Sequence, residues 1–581
     1  MKKYSLLLII TSALLNFKSF AQATAFVVTN PTVEQVMLGN YNPITYSATQ
    51  LLNHPDTISK GIIQRVNPDT LKSYILKLAS FHNRNTGSDT LSTTKGFGAA
   101  RNWVYSKFQQ YSAVNENRLL PSFFQFNQTI CSVGRHKNII AALPGTDTVD
   151  KRIIIIEGHM DSRCEALCDT ACLAQGVEDN ATGTALVMEL ARVMSKYSYN
   201  HTIVFMITTS EEQGLYGAEA FADYTTLKGI QIKAVQNNDV IGGILCGNTS
   251  SAPGCPGLNN VDSTQVRLFS FGGFNSKHKQ YARFSKLEYK EELLSSVAVP
   301  MTISIMSAED RTGRGGDHIP FRQHNYTALR YTSANEHGNA DVTAVGGYFD
   351  RQHTTRDTLG IDTNGDMVVD SFFVDFNYLA RNAVINGNAA GMAAIGPKSP
   401  DFTVVAIGLN TVEVTITAQT GYAYYRFADR TSTNDWDSVY TMTGNVDTII
   451  IGNAATHYVS VASIDTNGVE SLFSKEILIS VPTGINELKK EEGISLMQNK
   501  PNPFDESTII SIYVDKGKKY KEAFISITDN KGREIKRIPV ELLQGMNEVI
   551  YEHGYGASGI FNYTLLIDGK AIQSKKMIFT N

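Results

Sequence analysis

Seven side chains between residues 159 and 353 are of the types that hold a divalent metal and move protons. His159 and Asp161 stand in Glu157-Gly158-His159-Met160-Asp161, and Asp179 in Glu178-Asp179-Asn180-Ala181-Thr182-Gly183. Glu211 and Glu212 stand in Ser210-Glu211-Glu212-Gln213-Gly214, Asp239 in Asn237-Asn238-Asp239-Val240, and His353 in Gln352-His353-Thr354-Thr355-Arg356-Asp357. Each has a structural reading when taken alone: a polar loop, a helix N-cap for Asp179, a solvated acidic pair, a solvated loop histidine. Adjacent carboxylates such as Glu211 and Glu212 repel, which raises a pKa. A dication relieves that repulsion and lets one acid bind while the other handles protons. His159, Asp179, Glu212, Asp239 and His353 together offer nitrogen and carboxylate oxygen without thiolate. That donor set suits zinc ahead of manganese or cobalt. Glu211 is the acid left over, and a general base beside the metal is the role that fits it.

These residues need elements to position them. Ile153 to Ile156 form a short β-branched run, as in a strand buried on both faces, and His159 and Asp161 arrive where it ends. Residues 203–208 form a second such run ahead of Glu211, and Ala234-Val235 lead toward Asp239. Ligands in open α/β sheets sit beyond the carboxyl ends of strands. Helical spacing appears at Leu71, Tyr74, Ile75 and Leu78, over 96–111, at Leu186, Val187, Leu190, Val193 and Met194, and around 281–294. Strands are predicted at 123–126, at 138–143 and at 328–331. The alternation predicts an α/β domain with a mostly parallel mixed sheet and helices on both faces. No strong periodicity marks residues 22–69, which read as an N-terminal extension or propeptide.

The chain of 581 residues, 42% hydrophobic with net charge −4, is long enough for several domains and gives no electrostatic case for nucleic acid. Lys2 and Lys3, an apolar stretch at 6–15 and small residues at Ser19 and Ala21 read as a signal peptide, 1–21, cleaved before Gln22. No other segment is long enough to span a bilayer, so the mature protein is expected to be exported and soluble. In that compartment the six cysteines are expected in disulfides. Cys246 and Cys255 suggest a local bridge. The pairing of Cys131, Cys164, Cys168 and Cys172 is open, and a cysteine zinc site is the rival reading.

Gly-His-Met-Asp-Ser, Glu-Asp-Asn-Ala-Thr-Gly, Ser-Glu-Glu-Gln-Gly, Asn-Asp-Val-Ile-Gly, Asp-His-Ile-Pro-Phe and His-Thr-Thr-Arg-Asp-Thr, in this order, resemble the di-zinc exopeptidases that include the secreted bacterial leucine aminopeptidases. The resemblance covers a catalytic domain at about 70–392. It implies that His159 and Asp239 hold one zinc, Glu212 and His353 another, and that Asp179 bridges them. It further implies that Asp161 orients His159, that Glu211 is the general base, and that peptides are the substrates of a metal-assisted hydrolysis. Two departures stand out: the cysteine-bearing insertion at 163–177 is long for the family, and Val240 replaces a common methionine or leucine. Carboxypeptidases of the family and the single-zinc glutaminyl cyclases share much of this pattern and are the alternatives.

Asp362-Thr363-Asn364-Gly365-Asp366 with Asp370 resembles part of a calcium loop, but Met367 replaces its glycine and Phe373 its closing glutamate, so a polar turn is the preferred reading. Alternation at 412–416 and 458–462 predicts a β-sandwich over 400–481, and 458–474 resembles the end of a fibronectin type III domain, with a role in spacing or adhesion. A polar linker, 482–492, follows. Residues 495–581 form a second predicted sandwich. Pro501-Asn502-Pro503-Phe504, Thr508 to Ile510, 529–532, 559–563 and Lys575 to Ile578 resemble the C-terminal sorting domain of proteins exported by type IX secretion machinery. That resemblance implies passage through the periplasm of a Gram-negative bacterium to a secreted or surface-attached state.

Overall fold

The computed structural model describes residues 26–580 apart from 89–90, 148, 246–259, 312–313, 335–350, 409, 418–419, 432–433, 453–455, 481–492, 515–519 and 555–557. The expected signal peptide, the Cys246–Cys255 bridge and the linker lie outside the described residues. Among those described, β1 (Val27–Val28), β2 (Leu120–Ile130), β3 (Val133–Leu143), β4 (Ile153–His159), β5 (Ile203–Thr208), β6 (Ile232–Asn238), β7 (Gln265–Phe269), β8 (Thr302–Ile305) and β9 (Ala328–Ser333) form one mixed sheet. Its order is β1-β2-β3-β5-β4-β6-β9-β7-β8. The centre, β5-β4-β6-β9, is parallel. The β1, β2 and β3 side joins it antiparallel, as does β7 beside β9.

The isoleucine run shows why β4 is central. Ile154 and Ile156 face one core and Ile153 and Ile155 the other, all fully buried. Burial of such a side chain contributes about 1.5–3 kcal/mol. The first core is covered by α2 (Pro55–Arg65), α3 (Pro68–Ala79), α4 (Gly96–Val114), α5 (Thr182–Met194), α7 (Lys277–Glu288) and α9 (Phe376–Ile395). The second lies under α1 (Pro31–Met37), α6 (Tyr216–Lys228) and α8 (His318–Gln323). The stretch before residue 70 is more structured than its sequence suggests. From Val27 onward it supplies the edge strand and two helices, with Ile58 and Ile62 of α2 in the main core. Its apolar residues show no sustained period, and the strand partners of Val27 and Val28, Gln125 and Phe124, lie far along the chain.

Two antiparallel sandwiches follow. The first pairs Phe402–Gly408, Thr411–Ile416 and Val446–Ile450 in one sheet with Ser438–Met442, Tyr422–Arg430, Thr456–Asp465 and Ile477–Ser480 in the other. The second has the same three-plus-four arrangement over Ile494–Leu496 to Lys570–Phe579. Strand Thr411–Ile416 keeps the alternation read from its sequence, but Thr456–Asp465 is buried on both faces for most of its length. One face fills the sandwich core. The other packs against neighbours: Ala462 meets Leu287 of α7, and the Tyr458 hydroxyl donates to the Ser507 carbonyl at 3.0 Å. At the junction Arg430 and Arg283, both fully buried, pair with Glu476, and Arg430 also reaches Glu506 at 2.7 Å. The first sandwich is therefore a packed partner of the α/β domain and not a free spacer.

Candidate metal centre

Register brings the site together. In the parallel centre His159 pairs with Thr208 and Glu157 with Asn237, so β4, β5 and β6 end along one edge. Asp161, Glu211, Glu212 and Asp239 follow directly. Asp179 sits in a non-helical turn just before α5, with φ −118° and ψ 94°, and the Asp179–Asn180 peptide is cis. Ser210, Val240 and His353 have left-handed backbone at φ 63°, 54° and 59°. Such geometry costs a non-glycine residue about 1–2 kcal/mol and persists where surrounding contacts hold it. Those contacts include Tyr216 N–H donating to Ser210 and Ser333 N–H donating to Val240.

All seven residues picked out from the sequence converge. The Nε2 of His159 lies 3.2 Å from Oδ1 of Asp179 and 3.4 Å from Oδ1 of Asp239. The Nε2 of His353 lies 3.2 Å from Oδ2 of Asp179 and 3.0 Å from Oε2 of Glu212. Asp179 thus turns one oxygen to each imidazole. Two triads result, His159/Asp179/Asp239 and Asp179/Glu212/His353, each with donor atoms within 4.8 Å of one another. Imidazole nitrogen and carboxylate oxygen at this density fit zinc. Glu211 belongs to neither triad and stands 4.0 Å from His159.

The supporting contacts explain the motif residues. Asp161 does orient His159, but through its backbone carbonyl, which accepts Nδ1–H at 3.1 Å; its carboxylate is 3.7 Å away. That carboxylate is turned instead to the backbone N–H groups of Glu211 and Glu212, at 3.3 and 3.2 Å. The helix end did not need the carboxylate of Asp179 as a cap. Asn180 takes that place, accepting from the N–H of Gly183 and Val240 and donating to the Asn238 carbonyl. A Cβ on Gly183 would sit 2.0 Å from that carbonyl, so no side chain fits there.

Charge in the pocket is concentrated. Burial pushes the Glu211 carboxyl well above its usual range; the His159 imidazole opposes this, and Asp239 and Glu212 reinforce it. Burial disfavours charge on Asp179, yet hydrogen bonds from His159 and His353 hold it well below the usual carboxylate range. His353 is also desolvated, but Glu212 and Asp179 raise it to about 9.

Sequence reasoning passed over several contributors. Arg84, fully buried, donates to the carbonyls of Met160 and Gly176 and so ties two site loops together. Asp357, inside the quoted His-Thr-Thr-Arg-Asp-Thr piece but given no role, accepts the N–H of Glu178 and Asp179 at 2.8 and 3.0 Å. Arg330 reaches Asp239 and Asp310. The four open cysteines pair as Cys131–Cys168 and Cys164–Cys172. Their sulfurs are consumed, which removes the cysteine zinc reading.

The segment expected as a polar turn, with a calcium loop as its rival, closes on itself: Asp362 accepts N–H groups from Asn364, Gly365 and Met367. Among the described residues no helix is long and apolar enough to cross a membrane.

The chain is similar to several known proteins. Residues 138–369 match Peptidase family M28. A probable zinc metalloprotease of Leptosphaeria maculans is 30% identical over 344 residues, covering 57% of this chain and 75% of that protein. A probable zinc metalloprotease of Pyrenophora teres f. teres is 30% identical over 360 residues, covering 60% of this chain and 70% of its own length. Both relatives are fungal. The solved LapA aminopeptidase of Legionella pneumophila aligns with TM-score 0.42 and 17% identity over 58% of this chain and 74% of that one. The extent of the match to the first relatives, together with the family match over the strands and loops that carry the two triads, leads to one conclusion: the chain belongs to peptidase family M28.

Proposed function

We propose that this protein is an exported zinc aminopeptidase that removes N-terminal residues from peptides, with two zinc ions per chain and Glu211 as general base. One observation carries the reading: Asp179 gives a separate carboxylate oxygen to each of two imidazoles, each backed by its own further acid, and Glu211 remains over. His159 and Asp239 would hold one ion, Glu212 and His353 the other, with Asp179 between them. Zinc in such a site polarises a carbonyl and lowers the pKa of water.

The chain's own residues do the rest. Glu211 takes a proton from the attacking water and returns it to the leaving amine. Burial is the largest cause of its raised pKa, and a raised pKa strengthens a carboxylate as a proton acceptor. The Asp161 carbonyl holds the His159 ring so that Nε2 faces the acids.

Zinc counting with a paired assay tests this. The expected result is two zinc ions per chain and release of amino-acyl anilides that stops when the amine is acetylated. One zinc with cyclisation of N-terminal glutamine would establish the cyclase instead. Cleavage of amine-blocked peptides from their carboxyl end would establish the carboxypeptidase. Export belongs to the same proposal, with domains at 1–21, 22–69, 70–392, 400–481 and 495–581. The basic and apolar start of the chain and the motifs of 501–578 support it. Deletion of 495–581 is expected to keep the enzyme inside the cell, and unchanged secretion would remove the sorting role.

A further inference from the structure

We propose that Arg163 and Arg314 form a carboxylate-binding subsite, so that favoured substrates carry a carboxylate close to the bond being cut; this rests on the peptidase reading above. The metal-binding cluster opens into a cavity of 400 Å³. Apart from the acids and His353, its described lining is three arginines, two glycines and one apolar side chain, Leu215. An apolar specificity pocket is not what these residues build.

The three guanidiniums differ in their partners. Arg311 pairs with Asp310 at 2.8 Å. Among the described residues, the ion pair of Arg163 is with the metal cluster, its Nε 3.3 Å from Oε2 of Glu212. Arg314 donates to the neutral Gln352 Oε1 at 3.1 Å and faces the His353 ring at 3.4 Å. Two bound dications would match the charges of Asp179, Glu211, Glu212 and Asp239. Arg163 and Arg314 would then stand as surplus positive charge on the cavity wall. A guanidinium presents paired donors that match a carboxylate.

The insertion gives Arg163 a fixed place. It directly precedes Cys164, which is bridged to Cys172, while Cys168 ties the same loop to Cys131 in the turn between β2 and β3. Glu165 accepts the Thr355 N–H at 3.3 Å, joining the insertion to the loop of His353. A donor held in this way loses little freedom on binding. The disulfide-bound insertion is therefore the segment that delivers a guanidinium to the cavity.

The carboxylate has two sources, an acidic side chain or the free terminus of a dipeptide, and matched substrate pairs separate them. The zinc-loaded full chain is assayed for kcat/KM with Leu-Ala against Leu-Ala-amide, and with Glu against Gln p-nitroanilide. The same pairs are titrated calorimetrically into the zinc-loaded Glu211→Gln protein, which reads binding without turnover. The expected advantage of the carboxylated member is about 10–100-fold in at least one pair, the size of a charge-assisted hydrogen bond. It is expected to collapse in Arg163→Ala and Arg314→Ala and to return in part with lysine at either position. An advantage only for Leu-Ala identifies the terminal carboxylate, and one only for Glu the side chain. No advantage by rate or binding, or one that survives both alanine variants, overturns the subsite. Inactivity toward every free-amine peptide with carboxylate-dependent binding intact would instead remove the peptidase reading and leave the subsite standing.

Discussion

The carboxylate of Asp161 accepts the backbone N–H of Glu211 at 3.3 Å. The loop carrying the proposed base is thus hung on a residue of the neighbouring strand end, and the same residue's carbonyl orients His159. Asp161→Asn keeps that carbonyl but turns one of the two carboxylate acceptors into an amide nitrogen, so it is expected to loosen the loop of Glu211 and Glu212 and, through Glu212, the metal. A loss of about 10–100-fold in zinc affinity is the usual size of such an effect and is read by competition with a chelating dye. Unchanged affinity would mean that the loop holds Glu212 in place without the Asp161 carboxylate.

Glu211 stands 4.0 Å from His159, beyond hydrogen-bond reach. Glu211→Gln is expected to keep the fold and the metal while the rate falls about 10²–10⁴-fold. Metal analysis and turnover on one sample check this, and full activity in a metal-loaded variant would refute the role.

Glu470 of the first sandwich and Glu288 at the end of α7 are both buried at the interface with the α/β domain. Burial raises Glu470 to about 8, with Arg426 opposing and Glu291 and Glu292 adding to the rise. The folded chain therefore keeps a proton that the unfolded chain releases near its ordinary value of 4.5. The protein is expected to be most stable below that value, and to lose on the order of a few kcal/mol as pH rises through 8. Melting curves at pH 5 and at about pH 9 should show the fall, and Glu470→Gln should reduce it, with Glu288 contributing in the same direction.

Glu476 neutralises Arg430 through bonds of 2.6 and 2.8 Å and Arg283 through one of 2.9 Å. Glu476→Gln leaves two buried guanidiniums with Glu506 as the remaining acid in this group. The expected loss is about 3–5 kcal/mol, measured by denaturant unfolding. A loss under about 1 kcal/mol would mean that the junction opens to water.

Replacing Cys131 and Cys168 together by serine frees the insertion from the β2–β3 turn. The bridge spans 37 residues, and its loss is expected to lower stability by about 2–4 kcal/mol. Thermal unfolding of the variant beside the parent measures it.

His159 and Glu212 were legible in the chain because each follows an apolar, β-branched run that is buried on both faces, whereas Asp179, before a helix, and His353, in a polar loop, were legible only through the motifs around them. Ile153 to Ile156 identified β4, and the sheet then had to place His159 at its edge. Helix α3 was equally plain from Leu71, Tyr74, Ile75 and Leu78, all buried. What the order of residues left undecided were contacts between segments far apart. Cysteine pairing, the use of the Asp161 carbonyl for His159, and the convergence of Arg163 with Arg314 depend on which strands lie side by side. So do the packing of the residues before 70 and the second buried face of Thr456–Asp465. Local periodicity encodes which face of an element is apolar, whereas the neighbour that covers that face is chosen only when the whole chain closes around its cores.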